Sequence, residues 1–273
     1  MMASTLNSLL AIPDETMVSI PPSDWEKFAI ALHRAKPSIA PLFNIANTIL
    51  LLLEKGLPGI DLIHGTIMDL QERERKSGLR ITDLSAENIK GERLMTTSYS
   101  STVAQVLKAL AKDREIEVTV AEALPGGEGR QFAKLLSGHG MHVEMIHDST
   151  VFSRMAEMDA VLVGADSVTR SGLVNKIGTR ALAEAARVFD ADAYAVCGWS
   201  KISPVVLSDL ITYENVVDRN LTEFIQVFES TPLELFTLLV TDRQVLTPAD
   251  LEQELQLSKV AQAWYSRNVL TAP

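Results

Sequence analysis

The chain has 273 residues, with 25 Lys and Arg against 35 Asp and Glu, for a formal net charge of −10. That length buries a real core in one large domain or two modest ones, and the acidic balance excludes a broad electrostatic grip on nucleic-acid phosphates. A hydrophobic fraction of 47% with 22% charged residues excludes disorder, and a single cysteine, Cys197, excludes an intramolecular disulfide and any multi-cysteine metal site.

The N-terminus, MMASTLNSLLAIPDET, lacks the basic n-region of a signal peptide, and the apolar run from Asn44 to Leu53 is too short to span a bilayer. A cytoplasmic protein without membrane or direct nucleic-acid binding is expected. Helices are predicted from about Ser23 to Gly91. Ser23 or Asp24 is placed to cap the first, with Phe28, Ile30, Ala31 and Leu32 on helical spacing, and Pro37 interrupts it. Pro41 to Leu53 starts with Pro in the first turn and is closed by Gly56 and Pro58. Gly59 to Arg75 continues with Ile60, Ile63, Ile67 and Leu70 on one face.

After about Lys90 short apolar runs alternate with amphipathic stretches. Arg93–Thr97 precedes Ser101–Lys112, Glu117–Ala121 precedes Arg130–Ser137, and His142–Ile146 precedes Val151–Glu157. Ala160–Ala165 leads through a turn at Ser171–Gly172 to Thr179–Phe189, and Ala193–Cys197 runs into a loop region. This repetition predicts an α/β fold with a parallel sheet covered on both faces, Ala160–Val163 being a central buried strand. Pro232–Leu239 and Thr247–Leu255 are read as a closing helical section. The expected division is a helical domain over residues 1–90 and an α/β ligand-binding domain over 91–273.

Ligands of an open parallel sheet bind at the C-terminal ends of its strands, so the residues just after each apolar run are the candidates. Thr96 to Thr102 sets hydroxyls, among them Ser98, Ser100 and Ser101, between a strand and a helix, either as an anion site or as a plain helix cap. Pro125 to Arg130 brings glycines, including Gly129, for close backbone approach, and Arg130 for phosphate. The G-x-G-x-x-G pattern fails there, because Phe132 stands at the third site, and no G-x-x-x-x-G-K-[ST] occurs. Asp166, closing the most apolar strand, suits a general base, or simply caps a loop. Asn175 and Lys176, just before a helix, suit sugar hydroxyls and phosphate, with Lys201 placed to join them. The five histidines lack metal-ligand spacing and read as surface or capping residues, so neither a metal nor a cofactor is expected. Cys197 reads as a buried small hydrophobe.

In order, TTSYSSTVAQVLKAL, AEALPGGEGRQFAKLL, VLVGADSVTRSGLVNKIGTRALAEAA and TPLELFTLLVTDRQVLTP resemble the translation initiation factor 2B alpha/beta/delta family, as does KPSIAPLFNIANTIL. That family includes methylthioribose-1-phosphate and ribose-1,5-bisphosphate isomerases. The resemblance runs from about Trp25 to Pro248. It implies a Rossmann-like C-terminal domain after a helical N-terminal domain, pairing as a homodimer. In the isomerases a Cys and the Asp of the Gly-Ala-Asp motif move hydrogen between C1 and C2 of an aldose 1-phosphate. By position the Asp is Asp166, the substrate-holding pair is Asn175 and Lys176, and Arg130 matches the family's Gly-Arg.

Two departures bear on activity. Thr97-Ser98-Tyr99 stands where the isomerases have His-Cys-Asn, so the catalytic thiol becomes the Ser98 hydroxyl, a far weaker acid. Leu124-Pro125 replaces the family's Arg-Pro, and the N-terminal Arg-Gly-Ala phosphate loop is not visible. The expectation is a phosphorylated-sugar or nucleotide binder without the usual turnover. The alternative is an aldose–ketose isomerase, an intramolecular oxidoreductase, with Asp166 as base and Ser98 as weak acid.

Overall fold

The computed structural model describes residues 2–11, 20–37, 39–56, 60–206 and 212–270. Pro58, Gly59 and the side chains of Ile60 and Ile63 lie outside them. The chain opens with helices α1 (Met2–Leu10), α2 (Pro22–Ala35), α3 (Ala40–Glu54) and α4 (Ile60–Asn88). Pro21, not Ser23 or Asp24, holds the cap position of α2. Pro22 supplies the fixed φ of a first turn and has no N–H that needs an acceptor, so both polar residues fall inside the helix. Pro41 does the same for α3, which Gly56 leaves at φ +64°. α4 runs far past Arg75. Its mixed-charge middle is a solvated face on which Glu72 pairs with Arg75 at 2.8 Å and Lys76 at 2.9 Å.

Strand and helix then alternate: β1 (Arg93–Thr97), α5 (Ser101–Asp113), β2 (Glu117–Ala121), α6 (Glu128–Gly138), β3 (His142–Ile146), α7 (Val151–Met155) and β4 (Ala160–Gly164). A hairpin of β5 (Ser167–Thr169) and β6 (Gly172–Lys176) leads to α8 (Thr179–Val188) and β7 (Asp192–Val196). The region after Cys197, read as loop, holds β8 (Thr212–Asp218), β9 (Leu221–Gln226) and β10 (Phe228–Thr231). Pro232–Leu239 is no helix: a 3-10 turn, Leu233–Leu235, feeds β11 (Leu238–Val240), which β12 (Val245–Leu246) follows. Helix α9 (Pro248–Leu257) starts from a reciprocal cap between Thr247 and Asp250, and α10 (Ala263–Ser266) closes the described chain.

The main sheet has the order β12-β11-β7-β4-β1-β2-β3 and is parallel apart from β12. β4 is buried throughout, as its unbroken apolar run requires. Alternate side chains feed opposite layers. Ala160 and Leu162 pack with α4, α5 and α6 through Ile81, Leu107 and Phe132, while Val161 and Val163 pack with α7, α8 and α9 through Met155, Leu182 and Leu251. β10, β6 and β5 form a second, antiparallel sheet.

A third core fills the helical region with Leu6, Trp25, Phe43, Leu50 and Ile67, and the tail residues Ala261 and Trp264 complete it. Asn47 ties the tail down. Its amide donates to the Lys259 carbonyl at 2.9 Å, and its carbonyl accepts from Ala261 N at 2.9 Å and Trp264 Nε1 at 3.0 Å. His33, expected at the surface, is buried edge-on to Phe43 and Trp264. Burial, with a smaller contribution from Arg34, pushes its pKa down.

Candidate active site

From β1 the chain steps outward in one direction to β2 and β3, and in the other to β4, β7 and β11. The order therefore reverses between β1 and β4, and the crevice beyond their C-terminal ends is where such a sheet takes ligands. Ser98 leaves β1 at φ +64°, a left-handed conformation that costs a non-glycine residue roughly 1 kcal/mol. This turn sends the exposed Tyr99 edge-on against Phe132, 5.4 Å between ring centroids. It also sets Ser100 as the cap of α5, accepting from Val103 N at 3.3 Å. The capping hydroxyl lies against β4, where a Cβ on Gly164 would come within 2.7 Å of it. Ser101 is exposed in the first turn of α5.

Across the crevice Asp166 reaches solvent, yet enough protein surrounds it to push its carboxyl above the usual range, opposed by the ammonium groups of Lys201 and Lys176. Lys201 comes from the 3-10 turn Trp199–Lys201 after β7 and donates to the Ala165 carbonyl at 2.5 Å. Lys176, at the end of β6 and a candidate for phosphate, does not face open solvent. It is 5% exposed and donates to Glu128 Oε1 at 2.7 Å. A buried ammonium without a counter-charge is costly, and the first residue of α6 supplies that charge. Asn175 donates to Thr179 Oγ1 at 3.0 Å, which in turn donates to the Lys176 carbonyl at 2.7 Å. The N-terminus of α8, a natural anion site, is held by the chain's own carboxylate: Glu229 accepts from Gly178 N at 2.7 Å and Arg180 N at 2.9 Å. Burial pushes the Glu229 carboxyl up against those donors.

Asp166, Lys176 and Lys201 thus share one electrostatic neighbourhood beside the Ser98–Ser101 turn. Gly129 and Arg130 are engaged elsewhere. A Cβ on Gly129 would stand 2.0 Å from the Ala121 carbonyl, so this glycine lets α6 sit on the end of β2. Arg130 bonds the buried carboxylate of Glu122, which His147 also contacts at 2.9 Å. His147 and then Arg130 hold that carboxyl below its usual range. Asp148 pins the glycine loop, accepting from Ala123 N at 2.9 Å and Leu124 N at 2.8 Å. Cys197 is fully buried, and burial pushes its thiol up to about 12, so it offers no substitute nucleophile. Glu128 and Glu229 were missed in the sequence, for they meet their partners across 48 and 51 residues with no local signal.

The described residues hold no helix long and apolar enough to cross a membrane, and no group of three or more His, Cys, Asp or Glu that could hold a metal. A sequence profile of the Initiation factor 2 subunit family matches residues 26–248. The chain is 28% identical over 249 residues to a translation initiation factor eIF-2B subunit 2-like protein of Pyrococcus abyssi, spanning 88% of this chain and 87% of that one. It is 28% identical over 239 residues to the ribose 1,5-bisphosphate isomerase of Archaeoglobus fulgidus, spanning 81% of this chain and 75% of the enzyme. Its fold matches a chain of the tetrameric eIF2B-beta2-delta2 complex from C. thermophilum with a TM-score of 0.70 at 20% identity, covering 92% of this chain and 85% of the other.

Proposed function

The chain belongs to the Initiation factor 2 subunit family, and on that premise we propose that the crevice between β1 and β4 binds a phosphorylated sugar or nucleotide without the turnover of the family's isomerases. The observation that carries this reading is the set of two ammonium groups, Lys176 and Lys201, acting on Asp166 at the switch point of the sheet. Lys201 is the more exposed cation of the pair, so it meets the phosphate. Asp166 and Asn175 accept and donate to the sugar hydroxyls. Ser98 supplies a hydroxyl, not a thiol, where hydrogen transfer needs an acid. A second reading, slow isomerisation, is favoured by the raised Asp166 carboxyl, which brings a base closer to neutral operating pH. We also propose a homodimer, in keeping with the tetrameric relative. The exposed pair Phe152 and Phe189, 5.1 Å apart, with the exposed Val188 beside them, forms an apolar patch suited to burial.

Calorimetry with ribose 1,5-bisphosphate, methylthioribose 1-phosphate and nucleoside monophosphates tests the binding. At least one should bind, with Lys201→Met weakening it roughly tenfold or more, the worth of a charge-assisted hydrogen bond. Phosphorus NMR should show no ketose 1-phosphate from the wild type over hours and a measurable amount from Ser98→Cys. Rapid wild-type turnover supports the isomerase reading instead, and no binding of any of these ligands sinks both.

A further inference from the structure

Where the helical region meets the C-terminal ends of β7 and β11, a cavity of about 230 Å³ opens that is lined by residues the crevice at Asp166 does not use. Drug-sized pockets run to ~300–1,000 Å³, so this one suits a small ligand. Its cations are Arg73 from α4, Arg243 after β11 and Lys259 after α9. Among the described residues neither Arg73 nor Arg243 forms an ion pair. The Arg243 guanidinium lies over the Trp199 ring, 4.6 Å from its centroid, which fixes its plane and leaves its N–H edge unspent. Two carboxylates, Asp242 and Glu74, share the wall and are outnumbered there by the three cations. Asp242 accepts from Trp199 N at 2.5 Å, and Glu74 accepts from Ser200 Oγ at 3.3 Å. Asn44 of α3 bonds the carbonyls of Ser200 and Ile202 at 2.8 and 2.7 Å, so helices and sheet are locked together around the cavity. Burial, and then the charge of Arg73, push the Arg243 pKa down against the opposing charges of Asp242 and Glu254. Two like charges are thus held near one another, which an oxyanion between them would relieve.

We propose that this interdomain cavity is a second anion site, in which Arg73, Arg243 and Lys259 hold a phosphate group, free or carried on a small monoester. Bidentate guanidinium–phosphate bonds fit the planar, fixed Arg243, and a second cation completes the grip. The turn Trp199–Lys201 is the shared wall. It gives Trp199 and Ser200 to this cavity and Lys201 to the Ala165 carbonyl beside Asp166. A bound anion that shifts Trp199 therefore shifts Lys201, and coupling between two sites is reciprocal in binding free energy.

The test titrates inorganic phosphate, and in a second arm ribose 5-phosphate, into the full chain at fixed ionic strength, with heat and tryptophan emission as readouts. Trp25 and Trp264 are buried in the helical core, so Trp199, half-buried under Arg243, is the reporter. Saturable phosphate binding is expected, weakened roughly tenfold or more by Arg73→Ala and by Arg243→Ala, and partly restored by Arg243→Lys. Lys201→Met should change it by less than about twofold. Equal affinity for both probes identifies free phosphate as the ligand, and tighter ester binding, weakened by both arginine variants but not by Lys201→Met, identifies a monoester. Binding that survives both arginine variants but is lost with Lys201→Met assigns the anion to the Asp166 crevice and overturns the proposal. So does an absence of saturation at about 50 mM, weaker than any specific site. Because Asp166→Asn perturbs only the crevice, its effect on sugar-phosphate binding tests that reading separately.

Discussion

The sheet and the helical region solve burial in opposite ways. The sheet layers are filled by strands and helices close in sequence, almost wholly with aliphatic side chains that alternate between two faces. The helical core is built around a cluster of rings, Phe43 and Trp264 with the buried His33 edge-on to both, and is incomplete until Trp264 returns from the far end of the chain. A core closed by a remote tail rests on a few large contacts, whereas a layered sheet spreads its stabilisation over many small ones.

Trp264→Ala breaks that contrast most sharply. The ring is fully buried, stacked on Phe43 at 5.2 Å and bonded to Asn47. Its removal should cost about 3–5 kcal/mol, and hydrogen exchange should show α2 and α3 losing protection while β4 keeps its own. Uniform loss across both regions would show that they unfold as one unit.

Lys176→Met probes the sheet side, where one of the few buried charges is found. It leaves Glu128 without its partner, but that carboxylate is partly exposed and can rehydrate. The expected loss is therefore about 1–2 kcal/mol, below the ~3–5 typical of a fully buried pair, read from urea denaturation of the empty protein. Lys201→Met, measured alongside, should change stability by about 0.5 kcal/mol or less, because its one carbonyl contact is near solvent.

Acid should separate the regions more gently. Burial lowers the His33 pKa in the folded state, so its contribution is fully present above the unfolded value near 6.5 and is lost as pH falls through the lower folded value. The slope is at most about 1.4 kcal/mol per pH unit. Helical-region protection should decline as pH falls from about 7, and His33→Phe should flatten that decline while leaving the sheet unchanged.

The sheet was legible because its strands are apolar runs set off by amphipathic helices, and a period of two or 3.6 is written locally. The same rule located Asp166, Lys176 and Lys201, each of which lies at or beyond the end of a strand. It failed for β5, β6 and β8 to β10, whose short or exposed strands mix polar residues such as Asn175, Glu214 and Glu223 with apolar ones. It failed again for Pro232–Leu239, where helical spacing of leucines coincides with a three-residue strand. Glu128, Glu229, Trp264 and the meeting of Arg73 and Arg243 in one cavity wall were beyond reach, since each depends on chain segments that meet only after folding.

The solitary thiol of Cys197 follows β7 with no exposed surface. An alkylating reagent cannot touch it in the closed molecule, and its high pKa leaves almost no thiolate to react. Modification must wait for the central strands to part, so the speed of labelling is a clock for that opening, already installed at a single position and requiring no engineered probe.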